Sequence, residues 1–231
     1  MSRAALICKS LWMILFHREE RGRYGTIFIH ASEGRSFDRT VLAVTSAPEV
    51  ARLLSDRLDP QALLLDRARL RNCPSGSLGQ RYAAFMDGYG IDENLYFADA
   101  RDVARRDGRD AAQSWIRIRT GSMHDLNHLL AGYAPNPLGE ACVLAFRFAQ
   151  LRHYGVLALA ILAMLNVKLA GGRPFAPVRE AYRRGRDARR VELLPWEERL
   201  DRPLADQRAS LGITPTRYYR EAIFPQDYIG A

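Results

Sequence analysis

Residues 123–140, MHDLNHLLAGYAPNPLGE, set the architecture that we predict for this chain. Gly132 is typical of a helix end, whereas Asn136 is a favourable N-cap and Pro137 suits the first position of a following helix. The stretch therefore predicts two helices joined by a short turn. If these helices pack antiparallel, side chains equally far from the turn lie at the same level. We expect this hairpin to be the centre of a mainly α-helical, single-domain fold.

Four side chains of the hairpin form a candidate metal site. His124 and His128 are four residues apart, so on a helix of about 3.6 residues per turn they point to one side. Asp125 falls on the same side, and Glu140 lies about one turn into the second helix, level with His128. Two imidazoles with one or two carboxylates suit zinc or iron(II), and an open coordination position would make the site catalytic. Two ordinary surface histidines are the alternative, because chance gives such a pair in roughly one sequence in ten.

The order His-Asp, two residues, His, eleven residues, Glu resembles the metal motif of the fourth coenzyme Q biosynthesis protein family, which belongs to ubiquinone synthesis. Each of the four candidate ligands falls on a motif position. The resemblance covers roughly residues 46–213. Corroborating segments on both sides of the motif are residues 77–79, 82–86, 182–186, 195–197 and 211–213. One departure is Asn127, where many members carry an aromatic residue.

This resemblance implies a peripheral membrane protein that acts on a polyprenylated hydroxybenzoate-derived ring by oxidative removal of its C1 carboxylate. A metal at His124, Asp125, His128 and Glu140 would hold the ring carboxylate or phenolate and stabilise the charge that develops as the carboxylate leaves. The implied partners are the prenylated quinone precursor, an anionic membrane surface and other ubiquinone-biosynthesis enzymes, with a homo-oligomer left open. The implied location is cytoplasmic, peripheral on the inner face of the membrane.

Other functions stay open beside this enzyme. One is a non-catalytic scaffold that binds prenylated lipid and organises other ubiquinone enzymes around a structural metal. A metallohydrolase of the His-Glu-x-x-His type is disfavoured, because Asp125 stands where that motif has its glutamate and no third histidine follows. The net charge of +8 permits nucleic-acid binding, but no nucleic-acid motif accompanies it, so the charge favours an anionic membrane surface.

The chain divides into a variable N-terminal segment, residues 1–45, and a helical ubiquinone-biosynthesis-type domain, residues 46–231. Residues 4–16 are apolar but too short to span a bilayer, and they predict a helix that either lies on a membrane surface or packs into the core. Residues 24–30 and 40–45 are rich in β-branched residues, which favours strands or irregular segments.

Further helices are predicted from the spacing of apolar residues. Ser46 and Ser77 are predicted N-caps. Residues 102–118 have helical spacing and either continue into the motif helix or stop before a new start at Ser122. Residues 89–99 are expected to form an ordered loop.

Residues 155–170 predict an apolar helix that is either a central core helix or the wall of a lipid groove. Residues 177–190 predict a basic helix whose arginines are either solvated or bound to anionic lipid headgroups. The tail beyond residue 211 carries aromatic residues and is expected to pack across the domain or against a partner. These aromatic residues are Tyr218, Tyr219, Phe224 and Tyr228.

Two other sets of side chains bear on function. Arg117 and Arg119 precede the metal motif and are interpreted as either ligands of a substrate carboxylate or solvated charges. The three cysteines, Cys8, Cys73 and Cys142, are far apart in sequence and lack metal-ligand spacing. They indicate a reducing compartment and no disulfide framework.

Overall fold

The computed structural model describes residues 2–17, 20–56, 58–91, 111–221 and 223, and all regular secondary structure in these ranges is helical. The helices are α1 (Arg3–Phe16), α2 (Arg21–Ala31), α3 (Arg35–Thr45), α4 (Pro48–Ser55), α5 (Pro60–Leu65), α6 (Arg67–Arg71), α7 (Leu78–Tyr89), α8 (Ala111–Ala131), α9 (Pro137–Leu151), α10 (Tyr154–Leu169), α11 (Phe175–Asp187) and α12 (Leu204–Leu211). Short 3₁₀ helices lie at Val191–Leu193 and Trp196–Glu198. The predicted mainly α-helical, single-domain fold is confirmed.

Helices α8 and α9 are joined by the short turn that the sequence predicts. Gly132 follows α8 with a φ of +81°, a conformation that glycine adopts without steric cost. Asn136 caps α9 by accepting a hydrogen bond of 2.8 Å from the Gly139 N–H group. A Cβ atom at Gly139 would lie only 1.9 Å from the Ala134 carbonyl oxygen. The close approach of turn and helix therefore requires glycine at this position.

The main hydrophobic core surrounds this helix pair. It is formed by α5, α6, α7, α8, α9, α11 and the segment from the end of α11 to Tyr219, which includes α12. Its largest fully buried side chains include Tyr82, Tyr133, Phe146 and Trp196. Helix α9 also packs along both α10 and α11, so its first turn is fixed relative to α8.

Residues 24–30 and 40–45 lie in helices α2 and α3, so the expectation of strands or irregular segments is wrong. Branching at Cβ disfavours a helix only weakly. Helix α3 also has an apolar face with helical spacing, because Phe37 and Val44 lie seven residues apart and are both buried. Burial of this face outweighs the local preference of its residues for strands.

Helix α1 is apolar on two sides. Ile7, Leu11 and Ile14 pack against a second core cluster formed with α2 and α10. Trp12 and Phe16 point away from it and are 58% and 63% exposed. One face of α1 therefore packs into the core, as one of the two alternatives predicted. Contact with a membrane surface stays a prediction for the opposite face, which carries Trp12 and Phe16. In the described part of the chain, no helix combines the length and the apolar character needed to cross a membrane.

Two predicted N-caps have different outcomes. Ser77 caps α7 by accepting a hydrogen bond of 3.3 Å from the Gln80 N–H group, as predicted. Ser46 does not cap α4; it follows α3, and its N–H group donates to the Leu42 carbonyl. The prediction is wrong because α3 continues to the residue before Ser46, and Ala47 takes the N-cap position of α4.

Helix α8 runs through Ser122 without a restart, since the Ser122 hydroxyl donates to the Ile118 carbonyl at 2.9 Å within the helix. The earlier part of the predicted helix, residues 102–110, lies outside the described residues. The same holds for residues 92–99 of the predicted loop and for Phe224 and Tyr228 of the tail.

The apolar helix predicted for residues 155–170 is α10, and it lies at the edge of the fold. Val156 and Leu159 are buried, whereas Leu165 is half-exposed and Leu169 is 88% exposed. The interpretation as a central core helix is therefore wrong. With α9 and α11, this helix forms the walls of an apolar groove of about 690 Å³.

Candidate metal centre

Three of the four predicted ligands meet at one point between α8 and α9. The Glu140 carboxylate lies 3.3 Å from His124 Nε2 through Oε2 and 3.2 Å from His128 Nε2 through Oε1. The potential ligand atoms of these three side chains all lie within 4.8 Å of one another. This spacing is compatible with two nitrogen ligands and one oxygen ligand around a single divalent cation.

The orientation of His128 suits a metal ligand. Its ring is 1% exposed, and Nδ1 lies 2.7 Å from the Tyr133 carbonyl oxygen, which can only accept a hydrogen bond. Nδ1 therefore carries the proton in the neutral ring, and the lone pair of Nε2 faces Glu140. A backbone acceptor behind the ring is the usual way in which proteins orient a metal-binding histidine. Phe85 stacks on the ring at 5.9 Å between centroids and closes this side of the site.

The opposite side of the site is open. The side chains of His124 and Glu140 are 30% and 37% exposed. A ligand from solvent or from a membrane can therefore reach the cluster past these two residues, while His128 stays covered. A metal site with a closed rear and an open front is the arrangement expected when a coordination position is left for substrate.

Charges within the cluster shift the pKa values of His128 and Glu140. Burial is the largest single effect on the pKa of His128 and lowers it, but the charge and hydrogen bond of Glu140, the Asp125 charge and the Tyr133 carbonyl together outweigh burial, so the pKa rises. Burial alone would raise the pKa of Glu140, but the neighbouring His128 and His124 lower it strongly. Glu140 is therefore an anion at neutral pH, as a carboxylate ligand must be.

Asp125 lies beside this cluster but is not one of the three side chains whose ligand atoms converge. Its charge acts on both His128 and Arg147. The structure thus brings His124, His128 and Glu140 together and places the Asp125 carboxylate in their surroundings.

Sequence reasoning missed a buried polar group behind the metal centre. The Arg147 side chain is almost fully buried and donates to the Thr120 carbonyl at 2.7 Å. Burial lowers the pKa of its guanidinium, and the charges of Glu192, Asp125 and Glu140 oppose this effect. Arg147 follows Glu140 by seven residues, two helical turns, in an otherwise apolar run. That isolated charge was the available signal.

Asn127, the departure from the family motif, belongs to the same buried group. Its amide nitrogen donates to the Met123 carbonyl at 2.7 Å. Burial raises the pKa of Glu192, whereas Arg147, Arg119 and a hydrogen bond from Asn127 lower it. The polar side chain of Asn127 therefore faces Glu192 rather than the three convergent ligand atoms.

Arg117 and Arg119 are neither solvated nor placed to bind a substrate carboxylate, so both interpretations from the sequence are wrong. Arg117 is paired with Glu33, and Arg119 is paired with Glu197, with all four side chains at most 1% exposed. Their partners lie 84 and 78 residues away, which is why the pairs cannot be seen from local sequence. These arginines tie α8 to the segments on either side of it.

Comparisons with known proteins find similar sequences and a similar fold. The family model described as coenzyme Q (ubiquinone) biosynthesis protein Coq4 matches residues 1–217. The mitochondrial ubiquinone biosynthesis protein COQ4 of Pyricularia oryzae is 30% identical over 226 residues, which cover 96% of this chain and 72% of that protein. The mitochondrial coq4 protein of Botryotinia fuckeliana is 30% identical over 74% of this chain. The match spans 59% of that relative's own length.

A solved structure shows the same fold. The crystal structure of a protein from Nostoc punctiforme, described as a ubiquinone biosynthesis protein, superposes with a TM-score of 0.64. The superposition covers 91% of this chain and 96% of that one, at 21% sequence identity. At this identity the likeness concerns the fold alone.

Proposed function

Because this chain belongs to the coenzyme Q (ubiquinone) biosynthesis protein Coq4 family, we propose that it is a metal-dependent enzyme of ubiquinone biosynthesis. The proposed reaction is the oxidative removal of the C1 carboxylate from a polyprenylated hydroxybenzoate-derived ring. The bond between C1 and the carboxylate breaks, CO₂ leaves and a hydroxyl group takes its place, while dioxygen accepts the two electrons and is reduced to hydrogen peroxide, with one water consumed. The observation that carries the proposal is the convergence of His124, His128 and Glu140 within 4.8 Å at an open site.

The residues present fit a divalent cation. His128 Nε2 is buried and has no well-directed hydrogen bond in the described part of the chain, although Glu140 lies 3.2 Å away. A cation between the two groups would satisfy both the nitrogen lone pair and the carboxylate. We propose His124, His128 and Glu140 as ligands and retain Asp125, whose charge already acts on His128, as the fourth. Zinc and iron(II) both accept this ligand set.

A bound cation would supply a Lewis acid for the ring carboxylate or phenolate, and iron(II) would also supply redox chemistry. The chain itself positions the reactants. His124 and Glu140 form the exposed edge past which the ring would enter, and Phe85 and the covered His128 exclude water from the rear. Arg147, buried behind the carboxylates, contributes a fixed positive charge to the site.

The proposed location is the surface of a membrane, where a polyprenylated substrate is found. Large apolar side chains that are exposed to solvent on α1 and α10 support this location. The proposed face is the inner, cytoplasmic one, and the matched eukaryotic relatives are described as mitochondrial.

The test is a decarboxylation assay with a prenylated 4-hydroxybenzoate-type substrate labelled with ¹³C in the carboxylate. We expect metal-loaded wild-type protein to release labelled CO₂ only when dioxygen is supplied. Glu140→Gln should abolish release, whereas His153→Asn, which changes a buried histidine outside the cluster, should not. If Glu140→Gln and Asp125→Asn variants fully restored ubiquinone synthesis in cells that lack this protein, the proposed enzymatic role would be refuted. That result would instead favour the non-catalytic lipid-binding scaffold.

A further inference from the structure

Helix α11 and residues 214–218 enclose a basic pocket of about 650 Å³. Arg179 and Arg183 lie one turn apart on α11 and therefore share a face of the helix. Arg217 faces them from residues 214–218, which we call the crossing segment. All three residues are exposed, and within the described ranges none of their guanidinium groups forms an ion pair or a hydrogen bond.

The two acidic residues of the pocket are already engaged elsewhere. Glu180 accepts hydrogen bonds from the Thr216 hydroxyl and from the backbone N–H groups of Arg217 (2.8 Å) and Tyr218 (3.1 Å). Asp187 is paired with Arg186 at 2.8 Å. The pocket therefore has an excess of positive charge, because its three arginines outnumber the carboxylate of Glu180, while Asp187 is paired with Arg186.

The crossing segment is held firmly in place. Arg184 donates to the Thr214 carbonyl at 2.9 Å, and the Glu180 hydrogen bonds fix residues 216–218. Tyr219 is fully buried, and its hydroxyl meets the Asn136 amide at 2.9 Å. Because both ends of the segment are anchored, the backbone of Arg217 is ordered before any ligand binds, which lowers the entropic cost of binding.

An apolar groove continues from the basic pocket. It is the groove of about 690 Å³ between α9, α10 and α11, and the two cavities share Ala176 and Arg179. Phe148, Ile161 and Phe175 are among the apolar side chains that line it. The combined surface offers a cationic end and an apolar end, which matches a molecule with an anionic head and a hydrocarbon chain.

We propose that this surface binds one phospholipid of the membrane, with the phosphate between Arg179, Arg183 and Arg217 and an acyl chain in the groove. Arginine is suited to phosphate because its planar guanidinium donates two parallel hydrogen bonds to phosphate oxygens. The adjoining groove distinguishes a lipid phosphate from a soluble one. This inference rests on the proposed membrane location, and the pocket contains none of the candidate metal ligands.

The experiment is vesicle co-sedimentation of the full chain with phosphatidylcholine vesicles that either contain or lack phosphatidic acid. The test variant is Arg179→Gln/Arg183→Gln/Arg217→Gln. The matched control, Arg173→Gln/Arg189→Gln/Arg190→Gln, removes the same charge from exposed residues just before and just after the same helix, none of which lines the pocket. Thermal unfolding of both variants checks that they are folded.

We expect the pocket variant to lose about 1,000-fold in affinity for the anionic vesicles, from roughly tenfold for each charge-assisted hydrogen bond between an arginine and the phosphate, an interaction that the control arginines do not make. The control should lose clearly less. Equal losses of vesicle affinity in the two variants would refute a specific phosphate site in this pocket, because they would show that the protein is attracted only by its net charge. Binding of inorganic phosphate by wild-type protein without binding of vesicles would overturn the lipid in favour of a soluble phosphate.

The outcome is separable from that of the proposed reaction. Metal content and decarboxylation of a detergent-solubilised substrate should be unchanged in the pocket variant, since its residues lie outside the metal centre. An inactive wild-type protein that still binds anionic vesicles through the three arginines would refute the enzyme and leave the lipid site standing.

Discussion

Replacement of Arg119 by methionine should destabilise this protein strongly. The side chains of Arg119 and Glu197 are both 0% exposed. The guanidinium donates to the two Glu197 carboxylate oxygens at 2.6 and 3.3 Å. It also donates to the carbonyls of Glu192 and Leu194, each at 2.6 Å. Methionine fills similar space but removes all four hydrogen bonds and leaves the Glu197 carboxylate buried without a counter-ion.

Breaking a buried ion pair from one side costs about 3–5 kcal/mol of unfolding free energy. For a domain of this size, 1 kcal/mol corresponds to roughly 2–4 °C in melting temperature, so we expect a loss of about 6–20 °C. The double variant Arg119→Met/Glu197→Leu should lose less than the sum of the two single variants, because no unpaired charge remains in the core.

Urea unfolding followed by far-UV circular dichroism measures these differences. Arg52→Met is the matched control, because Arg52 pairs with the neighbouring Glu198 at the surface, with side chains 52% and 42% exposed. We expect this control to change stability little, since solvent screens exposed pairs. The reasoning is refuted if Arg119→Met is no more destabilising than Arg52→Met, or if the losses in the double variant are simply additive.

Two further predictions concern backbone packing and pH. Gly139→Ala should lower the free energy of unfolding by about 1–3 kcal/mol, because the added Cβ would lie 1.9 Å from the Ala134 carbonyl oxygen. The added Cβ of Gly121→Ala would have no neighbouring atom within 4 Å outside its own helix, so this variant should stabilise α8 by up to about 1 kcal/mol. Thermal unfolding of the two variants measures the difference. Burial lowers the pKa of His153 from its ordinary value of 6.5 to about 4. Between these two pH values the unfolded chain therefore binds more protons than the folded protein does. Neutral His153 therefore contributes up to about 3 kcal/mol to the free energy of unfolding. This contribution is complete above pH 6.5 and is lost as the pH falls towards 4. His153→Asn keeps an acceptor for the Gly155 N–H group without titrating, so its urea midpoint should fall less on acidification; an unchanged pH profile would contradict this.

The parts of the structure that could be predicted from the sequence depend on local interactions. Asn136 and Gly132 mark the turn because capping and positive φ are properties of neighbouring residues. The proximity of His124 and His128 follows from helical spacing, and that of Glu140 follows from the short turn. These features need no knowledge of the remaining chain.

The parts that sequence reasoning missed depend on distant contacts. Helix α2 and helix α3 form despite β-branched residues because the core covers their apolar faces. The charge of buried Arg147 is favoured by the charge of Glu192, which lies on a separate segment after α11. Arg119 likewise gains its partner 78 residues along the chain. Pairings of this kind are set by tertiary packing, so the local pattern does not reveal them.

The measurement that tests the central claim most directly is elemental analysis of purified wild-type protein beside His124→Ala/His128→Ala and the control His153→Asn. The three convergent side chains predict about one divalent metal ion per chain in the wild type and the control, and its loss in the double variant, which removes two of the four proposed ligands. A wild-type protein that takes up no zinc or iron(II), or a double variant with undiminished metal content, would contradict the proposed metal centre.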